Sequence, residues 1–332
     1  MTNPLNPLTP PDAPLGAHPL VLDRLGVARE VQRYFGQSLD VLKELIDYAT
    51  NLEVRIHGMG VGETDRVVAV GVLFHRIIAL LDATELLLRA GQVYSARIQT
   101  RALIEASWNL EWMLKADVSR RACQYYVLDL RNRVAELERF IPGTASNKEF
   151  EKVIESAKYL DAKNIFSMTP EDLAAIRKSR DDILQRIEEV SEFKAISIEI
   201  DKRKKLVGLK WFQLFGGPNE TRDLAIKLSH LHEYEVFFRL DSNAVHGTWV
   251  QDHISIKNEI ARAVPIRSLR EFVRVGDVAW DVGFRTTEQV IRHFREGEML
   301  AFVRQFVPNG KLRWNPPEVE VDIEAVVPYR NG

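Results

Sequence analysis

The sequence predicts an all-α protein, a multi-helix bundle, and three observations carry that expectation. Apolar residues recur at three- and four-residue steps, as in Val67, Val70, Phe74, Ile77, Leu81 and Leu88, which is the period of a helix. The breaks between such stretches fall at Gly58-Met59-Gly60-Val61-Gly62, Pro142-Gly143 and Gly216-Gly217-Pro218, where turn residues gather. No strand-helix alternation of the kind that builds a parallel sheet is present, and no segment repeats at a fixed period.

In chain order, residues 1–19 hold six prolines and neither Lys nor Arg, so they read as an extended tail and not as a signal peptide. A single helical domain is expected over residues 20–310. Val21 to about His57 forms its first helix, with Val31, Leu39, Leu42 and Ile46 on recurring turns. The glycine-rich stretch 58–62 follows a helix and lacks the Lys-Ser/Thr of a phosphate loop, so it reads as a helix end. Glu63 to Ala90 is apolar around most of its circumference and should be central; His75 within it reads as a hydrogen-bonded core residue. The charges His75, Arg76, Asp82 and Glu85 argue against a membrane span there. Gly91 stops this helix, and the next runs from Val93 to Lys115. Asp117 or Ser119 caps a fourth, which continues through Tyr125, Leu128 and Val134 to Phe140. Residues 146–206 are charged and poor in aliphatics. They read as a projecting pair of helices, one starting at Thr169-Pro170-Glu171, with a solvated basic run at Lys202-Arg203-Lys204-Lys205. An aromatic turn at 211–215 leads to a helix capped at Asn219 and another from His232, and a long helix is expected from Arg267 to about Arg295. Residues 311–332 form an extended C-terminal arm, with a short strand at Val319-Glu320-Val321-Asp322-Ile323.

Composition narrows the function classes. Of the 332 residues 45% are hydrophobic and 28% charged, an ordinary globular balance. A net charge of -2 gives no global pull toward nucleic acid or anionic membrane, so any nucleic-acid contact needs a local cationic groove. One cysteine, Cys123, excludes an internal disulfide and a multi-cysteine zinc site; its aromatic neighbours Tyr125 and Tyr126 suggest packing. His230, His232 and His253 lack a metal-ligand spacing, so neither metal nor cofactor is expected, and the default location is the cytoplasm.

The residues that could carry chemistry cluster around position 239. Arg239 and His246 are seven apart, about 700° of helical turn, so they share one face within roughly 20° and about 10 Å of rise. Glu235, Ser242 and Asn243 lie on or beside that stripe; Tyr234, Phe237, Phe238 and Val245 offer a core-facing side. Asp241 falls among these aromatics and calls for a buried donor, for which an arginine of the third helix is a candidate. On that helix Tyr94, Arg97, Arg101, Glu105, Trp108 and Trp112 fall within about 80° on one face. Two readings stand side by side. Arg101 and Glu105, four apart, can pair and fasten a neighbouring helix. Alternatively Arg97, Arg101 and Glu105, with Ser242 and Asn243, bind substrate in an arginine-lined pocket walled by Trp108.

Arg239-Leu-Asp-Ser-Asn-Ala-Val-His246 resembles the Arg-(four to six residues)-His motif of the HEPN superfamily. That resemblance implies a helical bundle, a homodimer and a metal-independent ribonuclease of bacterial defence or toxin systems. Arg239 would hold the phosphate and His246 would be the catalytic histidine, with RNA as the substrate. Over residues 65–250, Leu87-Leu88-Arg89-Ala90-Gly91-Gln92-Val93, Arg101-Ala-Leu-Ile-Glu105 and Ser242-Asn-Ala-Val-His246-Gly247 also resemble a bacterial family of helical proteins without an assigned activity. The alternative is a non-catalytic interaction module, an antitoxin-like or sensor partner, using the same polar groups structurally.

Overall fold

The computed structural model describes residues 21–57, 64–156, 168–203, 206–246, 253–257, 260–318 and 327–328. The tail 1–19, the glycine-rich stretch 58–62, Lys204, Lys205 and the expected strand at 319–323 lie outside them. The all-α bundle is found. The chain divides into two compact units: one of Met1–Gly58, Leu73–Trp108 and His230–Gly332, the other of Met59–Val72 and Asn109–Ser229.

In the first unit, α1 (Arg24–His57) buries Val31, Phe35, Leu39, Leu42, Leu45 and Leu52 at helical spacing. Helix α2 (Thr64–Arg89), whose residues up to Val72 belong to the second unit, ends where Gly91 takes φ +70°. There Gln92 N–H donates to the Leu87 carbonyl and Gly91 N–H to that of Leu88, the paired bonds that close a helix on a left-handed residue. Val67–Arg89 is long and apolar enough to cross a membrane, but half of its most apolar stretch is buried, as in a core helix. Its Val70, Leu73, Phe74, Ile77, Leu81 and Leu88 are buried, while Val68, Val72 and Leu86 form an exposed stripe. His75 sits on that stripe, its side chain 72% exposed, and bonds Glu53 at 3.0 Å, so it is hydrogen-bonded but not a core residue.

Helix α3 (Val93–Lys115) has the bounds expected of it. Phe35 of α1 stacks on Phe272 at 4.0 Å, in a cluster with Val31, Leu39, Leu88, Val93, Ala96 and Leu269. The long C-terminal helix starts later than expected. Ser268 N–H is taken by the Gly91 carbonyl and Glu271 adopts φ +60°, so residues 267–271 cannot be helical and the helix runs Phe272–Phe294. A hairpin of β1 (Ile254–Lys257) and β2 (Ile260–Ala263), with β3 (Val327–Pro328) on β2, was not expected; four-residue strands leave too short an alternation to register. Met299–Phe306 is a last short helix. Beyond it Trp314 stacks on Trp280 at 5.8 Å and donates to Asp277 at 2.7 Å, so the start of the C-terminal segment is tied down.

In the second unit α4 (Val118–Glu138) is capped by Asp117, which accepts from Arg120 N–H. The charged segment contains three described helices, α5 (Ala145–Ser156), α6 (Pro170–Glu189) and α7 (Ser191–Asp201). Thr169 and Asp172 form a reciprocal capping box at the start of α6. Rather than projecting as a pair, α6 and α7 pack on α4: the segment's few aliphatics turn inward, with Ile187, Phe193, Ile196 and Ile200 buried and Arg131 of α4 donating to Ser197. The basic run closes α7, where Lys202 and Arg203 both reach Glu199. Cys123 is buried. A 3-10 turn at Trp211–Gly216 precedes α8 (Thr221–Lys227), which starts after Glu220 and not from an Asn219 cap.

Candidate functional site

The helix carrying Arg239 is assembled from three pieces: α9 (Leu231–Glu233), a π turn (Tyr234–Phe238) and α10 (Arg239–His246). Two carboxylates on it, Glu233 and Asp241, point inward and are buried. An isolated carboxylate at such depth is strongly disfavoured, so each needs cationic or N–H donors. Both find them on two flanking helices of the same unit.

From α3, Arg97 Nε donates to Asp241 at 3.0 Å, Arg101 Nε donates to Ser242 Oγ at 2.9 Å and Trp108 Nε1 donates to Glu233 at 2.7 Å. Tyr94 hydroxyl donates to the Ala244 carbonyl at 2.9 Å. From the helix Phe272–Phe294, which we label α11, Arg274 reaches Asp241 and Arg285 reaches Glu233, each at 3.1 Å. The Arg101 guanidinium also lies 4.5 Å over the Phe238 ring, a cation–π contact. The segment 231–246 is therefore fastened on two sides by charge-assisted bonds, in addition to the packing of Phe238 and Ala244.

The outward side of α10 is different. Asp241 lies about 200° around from Arg239, so burying the first turns the second to solvent. Arg239 is 69% exposed and pairs with Glu235 at 2.9 Å on its own helix. Position 246 closes α10 on the same face by helical register, though the His246 side chain lies outside the described residues.

The sequence-derived candidates thus separate into two groups. Arg97, Arg101 and Ser242 are joined across the interface between α3 and α10, and Arg101 also pairs with Glu105 on its own helix at 3.8 Å. The donor that Asp241 required is Arg97, as expected. Trp108, expected to line a closed pocket, is fully buried and donates its indole N–H to Glu233. Val245, expected to face the core, is exposed, because the α3 contact face ends at the Tyr94–Ala244 bond. Arg239, Asn243 and position 246 fall on the other side of α10. Among the described residues no three His, Cys, Asp or Glu side chains are grouped so as to hold a metal ion.

Sequence reasoning missed Glu233, Arg274 and Arg285. A signal existed: Arg274 and Arg285 are eleven apart, three helical turns, hence on one face of α11, and Glu233 and Asp241 are eight apart on theirs. Two arginines facing two carboxylates across two helices is a legible pattern once both helices are known to be neighbours.

The chain matches the model of one family, described as "Family of unknown function (DUF5677)", over residues 67–260, more than half of its length. No curated protein and no solved structure matches it. The matched span covers α3 and all of α10, the two elements joined by Arg97, Arg101 and Asp241.

Proposed function

We propose that this chain, which belongs to the DUF5677 family of unknown function, cleaves RNA without a metal ion, as a homodimer of the HEPN-like kind, through Arg239 and His246. The observation that carries the reading is the division of labour on α10: its inward groups are committed to α3 and α11, while Arg239 is presented to solvent on a face shared with position 246. A rigidly held helix that presents a cation on its open face, with a histidine seven positions on in the same register, suits a phosphate-cleaving site.

In this reading the His246 imidazole takes the proton of the RNA 2′-hydroxyl, whose oxygen then attacks the adjacent phosphorus. The bond from phosphorus to the 5′-oxygen breaks, and that oxygen leaves with a proton from the second copy's histidine. Arg239 holds the non-bridging oxygens and offsets the charge gathered there in the transition state. One copy supplies only one acid-base group, so a twofold dimer completes the pair. A protein-binding role for the same helix has one observation in its favour: Leu231, Val236 and Val245 are exposed apolar residues of the same segment, suited to a partner in a defence or toxin system.

The test is cleavage of mixed single-stranded RNA in EDTA by the wild type, Arg239→Ala and His246→Ala. The expected result is an EDTA-resistant activity reduced about a hundredfold or more in both variants, with unchanged circular dichroism. Absence of cleavage by the wild type, or equal cleavage by all three, removes this face from catalysis and favours the protein-binding role.

A further inference from the structure

A cavity of about 40 Å³ opens in the first unit between the start of α3 and the segment 264–271, away from the exposed face of α10. Its lining includes Tyr94, Arg97, Ser268, Arg270 and Glu271. The volume exceeds what a single water needs, roughly 10–15 Å³ on this measure, and suits a group of a few heavy atoms.

The charges around it do not balance. Arg97, 5% exposed, is paired with Asp241 at 3.0 Å and with Glu271 at 3.4 Å. Arg274 Nη2 reaches the same two carboxylates, each at 3.1 Å, while its Nη1 is buried without a hydrogen-bond partner. Arg270 lines the cavity and, among the described residues, has no ion-pair partner. Among the described residues Arg97 and Arg274 share the carboxylates of Asp241 and Glu271, and Arg270, without an ion pair, adds a further positive charge to the cavity lining.

The backbone is also committed to this arrangement. Glu271 holds φ +60°, a left-handed conformation that is strained for a non-glycine residue and that concentrates at ligand-holding sites. Holding Glu271 there places its carboxylate against Arg97 and Arg274, where its charge is offset, and leaves Arg270 to the cavity. Ser268 is fixed by its N–H bond to the Gly91 carbonyl, so its hydroxyl is presented from a rigid segment. Arg270 and Ser268 line the cavity from the segment 264–271, and Tyr94 and Arg97 line it from α3. A tetrahedral oxyanion can meet donors from several directions, whereas a planar carboxylate is served by one guanidinium fork.

We propose that this cavity is a binding site for a phosphoryl group, with Arg270 as its principal ligand and Ser268 as a second donor. The group comes from free phosphate or from the phosphorylated end of a nucleic-acid strand. The site is distinct from Arg239 and His246 and needs no turnover.

The test is isothermal titration of the full chain, carried out in the His246→Ala background so that cleavage does not intervene. The probes are inorganic phosphate, acetate as the planar control, and one oligodeoxynucleotide with either a 5′-phosphate or a 5′-hydroxyl. Phosphate should bind and acetate should not; Arg270→Gln should weaken phosphate binding about tenfold or more, and Ser268→Ala by a smaller factor. A preference for the 5′-phosphorylated strand over inorganic phosphate assigns the site to strand ends, and equal or weaker binding of the strand assigns it to the free ion. No phosphate binding by the parent protein means a water-filled cavity only. Equal binding by Arg270→Gln means the ion sits elsewhere; either result overturns the proposal. Because Arg270 has no ion-pair partner among the described residues, its variant should keep the fold, which circular dichroism verifies. Failure of RNA cleavage by the wild type would leave these titrations unaffected.

Discussion

Asp241 has no exposed surface and faces guanidinium groups from α3 and α11. Replacing it by alanine leaves Arg97 buried with one carboxylate fewer, and removing one partner of a buried ion pair costs about 3–5 kcal/mol. Asp241→Ala should therefore lower the unfolding free energy by that amount, read from urea denaturation followed by circular dichroism; a loss below about 1 kcal/mol would mean that Arg97 and Arg274 find solvent instead. This residue was legible in the sequence, because an aspartate on the aromatic side of a helix must have a donor. Its second donor was not, since Arg274 comes from an element whose neighbourhood only the fold reveals. The same holds for Glu233, whose partners Trp108 and Arg285 lie on separate helices far away in the chain.

Among the elements, α11 illustrates how close packing is set by a residue without a side chain. A Cβ on Gly276 would meet the Trp314 ring at 2.7 Å. Trp314 is stacked on Trp280 and bonded to Asp277, so it has little freedom to retreat. Gly276→Ala gains up to about 1 kcal/mol in helix propensity but incurs about 1–3 kcal/mol of overpacking, so the net effect should be destabilising. A lower melting temperature with altered near-ultraviolet circular dichroism is the expected readout; an unchanged or raised temperature would show that Trp314 moves without penalty. Helix periods gave α1 to α4 within a few residues because their apolar faces are long. They gave the start of α11 too early and the β1–β2 hairpin not at all. Both are decided by tertiary bonds, such as Ser268 to Gly91, or by strands too short to show alternation.

For the molecule as a whole, acid should be destabilising through particular carboxylates. The hydrogen bond from Arg313 holds Glu44 below its ordinary pKa. Burial pushes Glu298 up, but hydrogen bonds from Arg295 and Arg55 outweigh it and leave that group lowered as well. A carboxylate whose folded pKa is depressed adds stability above its unfolded pKa and loses it as pH falls through the folded one. Urea midpoints should fall between neutral pH and about pH 3, and Glu44→Gln with Glu298→Gln should flatten that fall while lowering the neutral value. A slope identical to the wild type's would assign the acid sensitivity to other groups. At this scale the helical fold was legible from periodicity, and the exposure of Arg239 follows from its separation of about 200° from the buried Asp241. The balance of charges around Arg270 was not, because it depends on which of several arginines Asp241 and Glu271 already occupy.

The π turn at Tyr234–Phe238 has a genetic consequence. It inserts more chain per turn than an α-helix, and it lies between Glu233 and Asp241, both fixed to other helices. The distance between these anchors is thus a counted length. Losing one codon between 234 and 238 can be taken up by closing the π turn into an α turn, which keeps both anchors facing their partners; gaining one advances everything downstream by about 100° of helix, carrying Asp241 out of reach of Arg97 and Arg239 off the open face together. Single-residue insertions in this stretch should therefore abolish both folding support and the exposed cation, whereas a single-residue deletion should be the milder change.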